Sequence, residues 1–169
     1  MTDLSLTILT ETEDDAAAIE RLHERTFGPG RYARTAYRIR EGVSHRLDIS
    51  FTARIGTLLV GSLRLSPIRI GDTPALLLGP LTVEPPFRDR GIGLTLLNHA
   101  LQEAKAKGHK VVVLVGDEPY YKRCGFRQIP KGAATMPGPV DPQRLLVNEL
   151  VDGAFTDVGG PIKPEWETV

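Results

Sequence analysis

The sequence predicts an α/β fold of the α+β type, one domain built on a mixed, mostly antiparallel central sheet. Three observations carry that expectation. Between residues 46 and 83 the apolar residues recur with a period of two, as in half-buried antiparallel strands. From residue 92 the period becomes helical and the run "VVVLV" follows, which is the pattern of a strand, helix, strand crossover ending in a strand buried on both faces. The 169 residues show no internal repeat and no dividing linker, so residues 1–169 read as a single domain, with a loosely specified tail from about residue 153.

Each element has its own signal. "LSLTIL" (Leu4 to Leu9) alternates and predicts a first strand. "TETEDDAAAIERLHERTF" then takes helical spacing through Ala16, Ile19 and Leu22, with Thr12 and Asp15 as a capping box. "GPG" at 28–30 breaks the chain, and a second helix is expected over Tyr32 to Arg40. "RLDISFTA" places Leu47, Ile49, Phe51 and Ala53 on one strand face, Ile55-Gly56 turns, and "TLLVGSLRLSPIRI" and "ALLLGPLTV" continue a meander of three strands. "GIGLTLLNHALQEAKAKG" sets Ile92, Leu96, Leu97, Ala100, Leu101 and Ala104 on one helical face, with Gly108 as the stop. "KVVVLV" is the buried parallel strand, "EPYYKRCGF" a short helix closing at Gly125, residues 130–142 with six Pro or Gly a loop, and "RLLVNEL" a last strand.

Composition narrows the function classes. Lys plus Arg and Asp plus Glu both number 21, which leaves no overall electrostatic footprint for nucleic acid or an anionic membrane. No apolar run approaches a membrane span, and "MTDLSLTILTETEDD" lacks the basic start of a secretory signal, so a cytoplasmic location is expected. One cysteine, Cys124, makes no internal disulfide, and with four scattered histidines it makes no zinc site, so no metal is expected.

The stretch that demands chemistry is "PPFRDRGIGLTLL", residues 85–97. A helix amino terminus carries unpaired N–H groups and partial positive charge, which suits phosphate oxygens. Gly91 and Gly93 would let an anion approach the backbone, and Arg88 and Arg90 would add charge-assisted hydrogen bonds, although a tight turn alone also asks for such glycines. Leu94 after Gly93 excludes a P-loop, and Leu96 with three strands already passed excludes a dinucleotide fingerprint.

What remains is Arg-x-x-Gly-x-Gly after a strand ending "LTVEP". Here the sequence resembles the GNAT superfamily of acyl-CoA-dependent N-acetyltransferases, and the downstream "GDEPYYKRCGF" is similar to its YhbS-like branch. The likeness is strong over residues 76–126. It implies a sheet of about six to seven strands with helices on both faces and a splayed parallel strand pair. It also implies acetyl-CoA as co-substrate, with the diphosphate cradled by Asp89, Arg90, Gly91, Ile92, Gly93 and Leu94 behind Arg88. The pantetheine arm is implied to pair with Leu81, Thr82 and Val83, where Pro85 and Pro86, lacking N–H groups, end the strand.

The same resemblance puts the thiolate's proton donor on Tyr121, four residues before Gly125-Phe126, with Tyr120 beside it. A phenol of pKa about 10 is protonated at neutral pH and can donate. Glu84, at the mouth of the splay, is the candidate general base and Asp117 a second one. His99 and Cys124 read as packing residues, the latter because no histidine partners it. Arg31, Arg34 and Arg38 share one face of the early helix that the resemblance sets beside the acceptor entrance, where they would select amines bearing an oxyanion. The expected reaction is direct transfer of an acetyl group from acetyl-CoA to a primary amine, small or peptidic, by a monomer or homodimer. The alternative is an acyl-CoA-binding regulatory module without turnover.

Overall fold

The computed structural model describes residues 5–27 and 45–165. The helix expected over Tyr32 to Arg40 lies outside the described residues. The chain runs through β1 (Leu6–Thr10), α1 (Ala16–Phe27), β2 (Phe51–Ile55), β3 (Leu58–Ile70), β4 (Thr73–Val83), α2 (Ile92–Ala106), β5 (Val111–Val115), α3 (Glu118–Tyr121), β6 (Arg127–Gln128), β7 (Ala134–Thr135), β8 (Leu145–Glu149) and β9 (Gly160–Pro164). The sheet is ordered β1-β2-β3-β4-β5-β8-β6, with β9 paired to β3 and to β7. Pairing is antiparallel except for β4 with β5 and β7 with β9.

Helix α2 buries the face that its spacing predicts: Ile92, Leu96, Leu97, Ala100, Leu101 and Ala104. They pack on Phe51, Leu63, Leu65, Leu76 and Leu78 of the sheet. The helix stops where glycine permits it, because Gly108 takes φ +90 and His109 returns its N–H to Ala104 O at 3.0 Å. In β5, Val112 and Leu114 join this core while Val111 and Val113 join a second one with Ile68, Ile70, Val147 and Phe155. Burial on both faces is thus why the strand lacks alternation.

On the face opposite α2, Thr52, Ser62 and Thr82 stand side by side across β2, β3 and β4. Helix α1 packs against β3 and β4 with Ile19 and Leu22 fully buried. Its entry is the predicted capping box, in which the Asp15 carboxylate accepts the Thr12 N–H at 2.8 Å.

Two expectations are corrected. "RLDISFTA" is not one strand, since Leu47–Ile49 forms a 3-10 turn and β2 begins at Phe51. Ser50 explains the break: its hydroxyl donates to Arg46 O at 2.7 Å and accepts Leu65 N–H at 3.1 Å, a side-chain solution that displaces the ladder. The predicted burial of Ile49, Phe51 and Ala53 nevertheless holds. The second correction concerns the tail, because residues 160–164 form β9, paired with Ile68, Arg69 and Ile70. Together with the two-residue strands β6 and β7 this brings the count among the described residues to nine.

Near the start of the sheet Glu11 is buried, with a side chain 1% exposed. Arg64 donates to both its oxygens, at 3.0 and 3.2 Å, and His45 Nε2 lies 2.7 Å away. Burial alone would push the carboxyl up, but the bonds from His45 and Arg64 outweigh it and hold Glu11 below its ordinary 4.5. A depressed folded pKa contributes stability above the unfolded value that is lost as pH falls through the folded one. Urea midpoints should therefore decline as pH drops below 4.5, and Glu11→Gln should flatten that decline. Arg64→Ala, which strips the main partner from a buried carboxylate, should cost about 3 kcal/mol at neutral pH.

Candidate active site

The site begins where β4 leaves β5. Parallel pairing covers only Leu76 with Val112 and Leu77 with Val113, whereas β4 continues to Val83 on the β3 side. Between Leu78 and Leu81, β4 places Gly79 and Pro80 opposite the single residue Arg64, a bulge with Gly79 at φ +128. Pro80 has no N–H to offer a neighbouring strand, and the pairing with β5 does not extend to it. Parallel pairing thus ends ahead of "GP" within "LLLGPLTV", well before Pro85 and Pro86 end the strand. Glu84 N–H bonds to Val60 O, and by alternation Thr82 also faces β3 while Leu81 and Val83 turn their N–H groups away from it.

After β4 the chain makes a 3-10 turn, Pro85–Phe87, and enters α2 through Asp89 at φ +64 and Gly91 at φ +79. The two glycines serve different needs. A Cβ on Gly91 would meet nothing within 4 Å, so its requirement is the left-handed backbone. A Cβ on Gly93 would run into the Tyr120 hydroxyl, so Gly93 makes room for a tyrosine while also lining the cavity described next.

A cavity of about 610 Å³ opens between these elements, within the range of small-molecule sites. Leu81, Val83, Arg88, Asp89, Gly91, Ile92, Gly93, Leu94 and Tyr121 of the expected set line it. Thr82 does not, being buried on the other face of β4. Arg90 does not either, for its guanidinium lies over the Phe87 ring at 5.3 Å. Thr26 and Phe27 of α1, Phe87, Tyr120 and Arg123 complete the wall. The helical period of α1 shows which face is apolar, but not that its last turn meets a cleft.

Tyr120 and Tyr121 stack edge to face with centroids 4.9 Å apart, and Tyr121 rests against Phe126 at 5.9 Å. Burial pushes the Tyr120 phenol up, so it keeps its proton at neutral pH. Burial also raises the Cys124 thiol, and the side chain packs against the core, which agrees with a packing role. His99 sits edge-on to Phe51 at 4.6 Å, again as packing.

Glu84 does not line the cavity; it follows Val83, which does, and its carboxylate is held. Arg25, in the last turn of α1, donates from Nε at 3.1 Å and from Nη2 at 2.7 Å to its two oxygens. Asp117 pairs with Arg144 at 2.9 Å on the surface. Arg31, Arg34 and Arg38 lie outside the described residues. Among the described residues no group of three or more His, Cys, Asp and Glu is placed to hold a metal ion, and no helix is long and apolar enough to cross a membrane.

Comparison with known proteins accords with this geometry. The chain is 26% identical over 158 residues to YhbS of Escherichia coli K12, described as an uncharacterised N-acetyltransferase, covering 92% of this chain and 94% of the relative. The fold matches the crystal structure of the E. coli YhbS protein in complex with CoA, with a TM-score of 0.82, 23% identity, and 98% and 92% of the two chains covered. It also matches a GNAT family acetyltransferase from Brucella melitensis in complex with acetyl-CoA, with a TM-score of 0.62, 27% identity, and 90% and 99% covered. The model of the acetyltransferase (GNAT) family matches residues 16–126, and with the splayed strands and the glycine turn lying inside that span, the chain belongs to this family.

Proposed function

We propose that the protein transfers an acetyl group from acetyl-CoA to a primary amine by direct attack in a ternary complex. The observation that carries the reading is the meeting, around one cavity, of the β4 edge that β5 leaves unpaired, the amino terminus of α2 and Tyr121. The Brucella relative, which was solved with acetyl-CoA, supports the choice of co-substrate. When bound, acetyl-CoA supplies the activated acyl group.

Each protein group then has a role. The amides of Asp89 to Leu94, with Arg88 at their edge, hold the diphosphate on the positive end of α2. Leu81 and Val83 pair with the pantetheine arm, and the Val83 N–H, turned away from β3, polarises the carbonyl. Glu84 accepts a proton from the acceptor's ammonium, the neutral amine nitrogen bonds to the acyl carbon and the carbon–sulfur bond breaks; Tyr121 protonates the departing sulfur, and its phenolate is reprotonated through solvent as the nitrogen sheds its second proton to leave a neutral amide. One observation favours the binding-module alternative: both oxygens of Glu84 are already engaged by Arg25.

Thiol release from acetyl-CoA across a panel of amines, run beside calorimetry of acetyl-CoA binding, separates the two readings. The expected result is binding with amine-dependent thiol release and a product heavier by one acetyl group. Binding without release from any amine would replace the enzyme by the module.

A further inference from the structure

The Arg25–Glu84 pair invites a question that stability does not answer. Arg25 is half exposed, with a side chain 51% accessible, and an exposed ion pair adds little to folding. Yet the pair is bidentate, joins the last turn of α1 to the end of β4, and is flanked by Thr26, Phe27 and Val83 of the cavity wall. Neither residue lines the cavity itself, but each adjoins one that does, Thr26 and Val83, so a guanidinium and a carboxylate lie side by side next to its wall.

We infer that this pair recognises a zwitterionic acceptor, an α-amino acid or a close analogue, by exchanging partners with it. The inference rests on the acetyl transfer proposed above. Arg25 turns its planar fork from Glu84 to the acceptor's carboxylate, and Glu84 turns to the ammonium. Ammonium and carboxylate of an α-amino acid hang on one carbon, so their spacing matches adjacent charges already in contact. No charge is left bare, because the exchange replaces one ion pair by a quartet of alternating sign. An amine without a carboxylate offers Glu84 its ammonium but leaves Arg25 holding it back. The observation that the carboxylate is occupied, which weighed against Glu84 as a base, becomes the means by which the right acceptor releases it.

The test uses leucine, phenylalanine and glutamate, each with its carboxamide and its decarboxylated amine, in the acetyl-CoA thiol-release assay. The readout is the ratio of kcat/KM for each amino acid to that for its carboxamide, compared between wild type and variants so that intrinsic amine basicity cancels. Arg25→Gln should lower this ratio about tenfold or more, mostly through KM for the amino acid, as expected for loss of a charged hydrogen-bond pair. Arg25→Lys, which keeps the charge without the fork, should lie between; it decides the matter if Arg25→Gln does not melt cooperatively. Equal ratios in wild type and in the folded variants would overturn the inference while leaving acetyl transfer standing. No thiol release in any arm, with acetyl-CoA still bound, would remove the transferase reading itself and the inference with it.

Discussion

Valine at both 91 and 93 should abolish acetyl-CoA binding in a protein that still folds. Gly91 caps α2 at φ +79, a conformation that costs a β-branched residue roughly 1–3 kcal/mol, so valine there rotates the first turn and its N–H groups. Valine at 93 displaces the Tyr120 hydroxyl from its seat on α2. The two changes attack the cradle from opposite sides. Calorimetry should register no heat with acetyl-CoA, while circular dichroism retains a cooperative melt. Undiminished affinity in the folded double variant would take the diphosphate away from this turn. The contact also sets a cross-check: Gly93→Ala should weaken binding, and adding Tyr120→Phe should restore much of it, because the clashing oxygen is then gone.

Tyr121→Phe should leave acetyl-CoA affinity near that of wild type and lower kcat by about 10² to 10⁴, the usual worth of a proton donor. The ring loses only its oxygen, so its stacking on Tyr120 and Phe126 survives and the fold should not change. Tyr120→Phe, whose hydroxyl is seated on Gly93, should do much less to kcat. Steady-state kinetics on both single variants, with thiol release as the signal, checks the ranking. A reversed ranking would move the proton donor one residue back.

The sequence made some of this legible for identifiable reasons. Leu96, Leu97 and Ala100 announce the buried face of α2 because helical period and burial are local properties. The turn into α2 announces itself because glycine at 91 is demanded by a backbone angle. Elsewhere the deciding partner is far along the chain. Ser50 breaks its strand for the sake of Leu65 N–H, Gly93 is small on account of Tyr120, and Glu84 is occupied by Arg25, 59 residues away. Period and composition carry no trace of such pairings. The bulge at Gly79-Pro80 is a different case, being written in a dipeptide and overshadowed by the more conspicuous "EPP" that follows.

Strand β3 is thirteen residues long, and β4 accompanies it on one side almost throughout. Its other side is divided. β2 pairs with it as far as Leu63, Arg46 and Ser50 satisfy Leu65, Glu165 N–H reaches Pro67 O, and β9 takes Ile68 to Ile70. The carboxyl-terminal segment therefore works as a selvedge, finishing a margin of hydrogen-bonding groups and apolar residues that would otherwise invite another chain to add itself. Residues 160–165 do not line the cavity; what they close is the open margin of β3.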